Sequence, residues 1–317
     1  METQNQSSIK DFILLGLSNS PGHQGIIFWG FTFIYSTALV ANFLFILTIS
    51  SCSKLHTPMY FLLINLSIAN MFCISVTIPK MLQATLSPRK TISFSGCMAQ
   101  VCLFLWALGT ELLLLSFMAF DRYAAICHPL QYTIIMRREV CVGVVAAVWV
   151  TGMVNSAVHT GLVLQLSFCN SRVINHFFCN LPPLLALSCS DISLNEIMAY
   201  VSDAFISMGS CTLTLTSYVL ILITISRIQS AEGKKKAFST CSSHLLVVIF
   251  YFSTIIYTYI RPTSSSSLEE DKVLAILYTV VTPVLNPVIY SLRNQDVKEA
   301  LKRLTGRFIP RASLVYG

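Results

Sequence analysis

Apolar residues are gathered into long runs separated by short polar connections. A helix needs about 20 mainly apolar residues to cross a bilayer. Seven runs meet that length, near 26–50, 58–80, 98–120, 140–164, 196–226, 237–260 and 272–291. Backbone groups in lipid must be bonded within their own segment, so each run is expected to be a helix. The fifth run is long and interrupted by Asp203. Past the seventh, Leu292, Val297, Ala300, Leu301 and Leu304 alternate with basic residues at helical spacing. That pattern reads either as an amphipathic helix on the membrane surface or as a frayed basic tail. The fold class expected is an all-α membrane protein, a seven-transmembrane helix bundle with a short amphipathic C-terminal helix. Its divisions are an N-terminal segment 1–25, a bundle 26–292 and a cytoplasmic helix and tail 293–317.

Composition agrees with lipid as the main solvent. The chain of 317 residues is 54% hydrophobic and only 11% charged, against about 25% charged in a soluble domain. The net charge of +7 reads as a topology signal. No polar region mixes stacking aromatics with lysines and arginines, so nucleic acid is set aside. With the N-terminus outside, the cytoplasmic pieces hold fourteen lysines and arginines and the outer pieces seven. That excess favours N-terminus out and C-terminus in. Residues 1–25 lack the order of a removable signal, so the first run is expected to serve as an uncleaved anchor. Asn5-Gln6-Ser7 is a glycosylation sequon; Asn65-Leu66-Ser67 is another, inside an apolar run where no sugar could attach.

Polar residues inside the runs need a reason. Asp121 and Arg122 stand side by side where the third run leaves the membrane. One reading is a neutralised helix end with arginine snorkelling into headgroups. The other is a latch, in which Asp121 holds Arg122 in one state and releases it in another. Glu111 lies eleven residues earlier, roughly 16 Å along a helix and on nearly the same face. A carboxyl at mid-membrane is by default functional. Asn42, Asn70 and Asn286 sit in other runs, at positions that the motifs described below place near it. Together with Glu111 they form either a rearranging polar network or a purely structural one.

Eleven cysteines divide by compartment. Cys97, Cys169, Cys179 and Cys189 fall outside, where disulfides persist. Four cysteines allow three pairings, and spacing does not choose among them. His176 near Cys179 raises a metal site, but an outer cysteine is more readily placed in a disulfide. No metal or cofactor is expected.

Five motifs are more specific: LHTPMY at 55–60, MAFDRYAAIC at 118–127, Ser217-Tyr218, KAFSTCSSH at 236–244 and PVLNPVIYSLRN at 283–294. In this order, on these sides of seven runs, the chain resembles the rhodopsin-like G-protein-coupled receptors, and within them the olfactory receptors. The resemblance implies a small volatile or apolar ligand among the outer halves of the helices, at the plasma membrane. It implies a stimulatory, olfactory-type heterotrimeric G protein below, raising cyclic AMP, and no chemistry on the ligand. It also implies disulfides Cys97–Cys179 and Cys169–Cys189. The coupling residues it points to are Asp121, Arg122, Tyr123, Tyr218, Asn286, Pro287 and Tyr290. Tyr218 and Tyr290 would swing toward Arg122, or else serve as interfacial anchors. The basic cluster ending at Lys236 is a topology signal, a G-protein contact, or both. Pro287 removes a backbone donor and allows a kink.

Ligand contacts follow by counting helical turns outward. From Glu111 these are Leu108, Leu105 and Phe104; from Tyr218 they are Ile206, Asp203 and Ser202. The sixth run offers Phe252, Ile255 and Tyr259, and the fourth offers Asn155 and His159. An apolar cavity with a few polar groups suits a small ligand, although each aliphatic here also serves as packing. Several positions depart from the family pattern. Asn70 stands where aspartate is usual, which puts a bound sodium ion in doubt. Ala41, Phe120, Asn180 and Tyr251-Phe252-Ser253 also differ. The alternatives kept are a rhodopsin-like receptor for a non-odorant ligand and a small transporter. No repeat supports the transporter. Scattered histidines and acids argue against an enzyme.

Overall fold

The third helix, Phe94–Cys127, is 34 residues long and stands at the centre of the computed structural model. The structure describes residues 10–18, 21–169, 171–260, 268–293 and 295–308. The side chain of Ser93 caps the third helix by accepting from Gly96 N at 3.1 Å. Around it pack the second helix, Pro58–Leu86, the fourth, Arg138–Val163, and the fifth, with the first, Pro21–Ser51, outside the second. The third and fourth helices approach closely at Gly152, where a Cβ would lie 2.8 Å from the Thr110 hydroxyl. Trp106 Nε1 donates to Trp149 O at 2.9 Å, and Trp149 Nε1 to Asn65 Oδ1 at 3.3 Å, tying three helices together.

The fifth helix runs through Ser193–Ser202, Asp203–Met208 and Gly209–Arg227. Asp203 therefore does not end it; the chain passes through a π-helical turn there. The sixth helix is Ala231–Ile260. The seventh joins Leu268–Ile276 to Thr282–Arg293 through a second π-helical turn at Leu277–Val281. A last helix, Gln295–Phe308, buries Val297 and Ala300. Among the described residues six helices are long and apolar enough to cross a membrane, and the sixth helix carries a shorter apolar stretch, Cys241–Thr254. The expected bundle of seven is borne out.

The outward face is unlike that of a soluble protein. Ile26, Trp29, Phe33, Val150, Leu215 and Ile249 face outward, whereas Asn42, Asn70, Glu111, Asp121 and Asn286 are buried. Only lipid makes that arrangement favourable, because apolar side chains gain nothing from an interior whose outside is equally apolar. The polar groups then take the interior, where partners exist.

Short strands close one end, a feature the apolar runs did not predict. Strand β1, Asp11–Leu14, lies between β2, Thr91–Ser93, and β3, Val173–Ile174. It pairs antiparallel with β2 and parallel with β3. Phe12 and Leu14 alternate inward and are wholly buried, as the two-residue period of a strand requires. At this end Cys97 is bonded to Cys179 and Cys169 to Cys189, with Cα–Cα distances of 5.5 and 6.0 Å.

Candidate functional site

Pro287 sits inside the seventh helix and has no N–H for the carbonyl four residues earlier, that of Pro283. Asn42 supplies the missing donor from the first helix: its Nδ2 reaches Pro283 O at 2.9 Å and its own Ala38 O at 2.8 Å. Asn70 Nδ2 then donates to Asn42 Oδ1 at 3.4 Å, and Asn286 Nδ2 donates to Asn70 Oδ1 at 3.2 Å. Three asparagines thus link the first, second and seventh helices around one proline. Glu111 stands outside this chain. It is fully buried, and neither carboxyl oxygen has a hydrogen-bond partner among the described residues. Its titratable neighbours are Cys73 on the second helix and Tyr251 on the sixth.

Below lies the charged pair. Asp121 is wholly buried and Arg122 nearly so. Arg122 Nε donates to Asp121 Oδ2 at 3.0 Å, and its Nη2 contacts the same oxygen. The other oxygen, Oδ1, accepts from Tyr132 Oη at 2.8 Å. Tyr132 belongs to a short helix, Tyr132–Ile135, between the third and fourth crossings. Burial, then the neighbouring Asp121 charge, raises its pKa above the ordinary phenol value, so it remains a donor. Tyr123 faces His128 instead, with Oη 2.9 Å from Nε2. Tyr218 is buried with its hydroxyl 2.7 Å from His244 Nδ1 and 3.5 Å from Cys241 O. The other ring nitrogen of His244 lies 3.1 Å from the Leu115 carbonyl on the third helix. Tyr290 is buried, and its hydroxyl has no hydrogen-bond partner among the described residues.

At the strand-capped end, Phe104 packs edge-on against Phe178 at 4.8 Å and beside Tyr278 at 6.1 Å. The loop carrying Phe178 is pinned by Gln100, which accepts from Cys179 N at 2.8 Å and donates to Val76 O at 2.8 Å. Tyr278 belongs to the π-helical turn of the seventh helix and meets Asn180 at 3.4 Å. Buried His159 and half-buried Ser202 meet at 3.0 Å across the fourth and fifth helices. Leu105, Leu108 and Ile206 are partly buried, Phe252 is buried, and Asn155 is half-buried. Asn5 lies outside the described residues, as do the side chains of Asp203, Lys236, Ile255 and Tyr259. The structure thus joins His159 to Ser202, Phe104 to the loop carrying Phe178, and Asp121 to Arg122. Tyr132, His244, Gln100 and Tyr278 were missed in the sequence. Only His244 had a signal, its place in KAFSTCSSH.

A family model described as olfactory receptor matches residues 31–307. The chain belongs to the olfactory receptor family. It is similar to human olfactory receptor 13G1, 48% identical over 300 residues, with 95% of this chain and 98% of the relative covered. Human olfactory receptor 13A1 is 47% identical over 300 residues, covering 95% and 92%. Mouse olfactory receptor 5AP2 is 46% identical over 309 residues, covering 98% of each chain. The receptor is accordingly a multi-pass membrane protein of the odorant-sensing, G-protein-coupled class. It takes a small-molecule ligand, couples to a G protein and is not an enzyme.

Proposed function

We propose that this receptor binds a small, mainly apolar odorant in the outer half of the bundle and activates a stimulatory, olfactory-type G protein, raising cyclic AMP. The observation that carries the reading is Arg122, buried at the foot of the third helix and held by Asp121. A cation so placed is satisfied only while its partner stays, which makes it a switchable group rather than a packing one. The polar core of Asn42, Asn70, Asn286 and Glu111 lies between it and the ligand end. Helix shifts there would exchange hydrogen bonds and pass to Tyr218, Tyr290 and Asp121, while Lys236 meets the G protein.

The ligand would sit among Phe104, Leu105, Leu108, Ile206 and Phe252, with Asn155, His159 and Ser202 as polar contacts. Asp203, Ile255 and Tyr259 complete the proposed wall. Redox chemistry supports the proposed orientation. Both disulfides lie at the end opposite Arg122, and disulfides persist outside the cytosol. The N-terminus with Asn5 is then extracellular and the helix Gln295–Phe308 lies along the inner leaflet. An odorant panel read by cyclic AMP in cells expressing the chain tests the reading. Responses that need the stimulatory G protein are expected. Responses surviving its deletion would overturn the coupling assignment.

A further inference from the structure

A crevice of about 790 Å³ opens at the Arg122 end, between the first, second and fourth helices. Ile49, Leu55, Phe61, Ile64, Met136 and Val142 supply its apolar wall, with Val142 48% exposed. Its rim carries Arg137 and Arg138 in succession, with His56, Thr57 and one acid, Glu139. Both arginines are exposed, and neither forms an ion pair among the described residues. His56 is turned to the Ser50 carbonyl at 3.3 Å. The ligand-sensing and coupling roles proposed above use none of these residues.

An apolar slot beneath two exposed guanidinium groups fits an amphiphile with an acyl chain and an anionic head. Arginine binds phosphate oxygens through a planar fork of donors. Water or a soluble anion would leave the apolar wall unfilled, and a neutral lipid would leave the arginines without a counter-charge. We propose that this crevice is a binding site for one anionic phospholipid of the adjoining leaflet, with a chain against Phe61, Ile64 and Val142 and the phosphate at Arg137 and Arg138. The assignment of that leaflet as cytoplasmic rests on the orientation proposed above; the site itself does not.

The test uses full-length receptor in detergent, titrated with dioleoyl phosphatidylserine or dioleoyl phosphatidylcholine and read by native mass spectrometry. Orientation has no effect in detergent, so failure here leaves the topology, tested separately by N-terminal epitope labelling, untouched. Wild type is expected to retain phosphatidylserine in preference to phosphatidylcholine. Each of Arg137→Gln and Arg138→Gln is expected to weaken that retention by about fivefold, the effect of one basic residue near an anionic surface. Val142→Trp, which fills the slot but keeps the charge, is expected to lower retention of both lipids. Equal retention of the two lipids by wild type, or undiminished phosphatidylserine binding by the double arginine variant, would overturn the proposal. The wild-type comparison decides even if a variant fails to fold.

Discussion

Tyr218 donates its hydroxyl hydrogen to Nδ1 of His244 across 2.7 Å. The direction is forced by the other side of the ring. Nε2 of His244 lies 3.1 Å from the Leu115 carbonyl, which only accepts, so Nε2 holds the proton and Nδ1 is the acceptor. One histidine therefore ties the sixth helix to the third and the fifth in the arrangement described here. Moving the sixth helix away breaks both bonds. His244→Phe removes them while keeping a ring. With each bond worth about 1 kcal/mol, losing both should shift the equilibrium away from the resting state by about thirtyfold. Raised basal cyclic AMP per surface receptor is expected; wild-type basal output would show that the tie does not hold the resting state.

Asp121 divides its two oxygens between Arg122 and Tyr132. Asp121→Asn leaves Tyr132 an acceptor but removes the charge opposite Arg122. A hydrogen bond to a charged group is worth about 1.5–3 kcal/mol, so basal signalling should rise by about tenfold or more. Tyr132→Phe removes a donor but leaves Arg122 its counter-charge, so it should raise basal signalling less than Asp121→Asn does. The ranking is read in the same cells at matched surface levels, and a larger effect from Tyr132→Phe would reverse the assignment.

The bond from Asn42 to Pro283 O can be tested against its cause. Asn42→Leu leaves that carbonyl unpaired inside the membrane and strips Asn70 of its acceptor. A loss of about 2–3 kcal/mol is expected, read as a lower melting temperature in detergent. Pro287→Ala supplies a helical N–H to the same carbonyl. In the Asn42→Leu background it should recover part of the loss, and strictly additive effects in this cycle would remove the link between the two residues.

His176, in the loop over the strand-capped end, is buried, stacked on Phe177 and close to Lys272 and Asp271. Burial first, then the Lys272 charge, lowers its pKa from the ordinary 6.5 to about 4. The unfolded chain therefore binds this proton before the folded one does. Stability from the neutral ring is complete above pH 6.5 and is lost as pH falls toward 4, by about 3 kcal/mol at the end of that window. Melting curves of purified receptor should show this slope, reduced in His176→Phe. Identical slopes for the two proteins would mean that the ring titrates normally.

Helix number and order were legible because lipid demands long apolar runs, and that demand leaves a mark in every crossing. Arg122 and Asn286 were legible through short motifs. The proline-linked carbonyl was half-written: Pro287 announces an orphan at Pro283, but nothing in the linear chain says that Asn42 meets it. Glu111 was grouped with the asparagines from its depth and from where the motifs place them, yet neither fixes azimuth closely enough to make a hydrogen bond, and its oxygens stay outside their chain. Strand β1 escaped notice because four residues are too few for a period of two to stand out. The π-helical turn at Asp203–Met208 was visible only as an oddity, an acid where a helix was expected to falter. His244 and Tyr132 are tertiary partners, and their roles come from the residues that fold against them.

The central claim is that buried Arg122 exchanges Asp121 for the G protein. The direct measurement is odorant-evoked cyclic AMP from Arg122→Ala beside wild type, with surface receptor counted on the same cells. Signalling lost while the receptor still reaches the surface is the expected result; a full odorant response from the variant would contradict the claim.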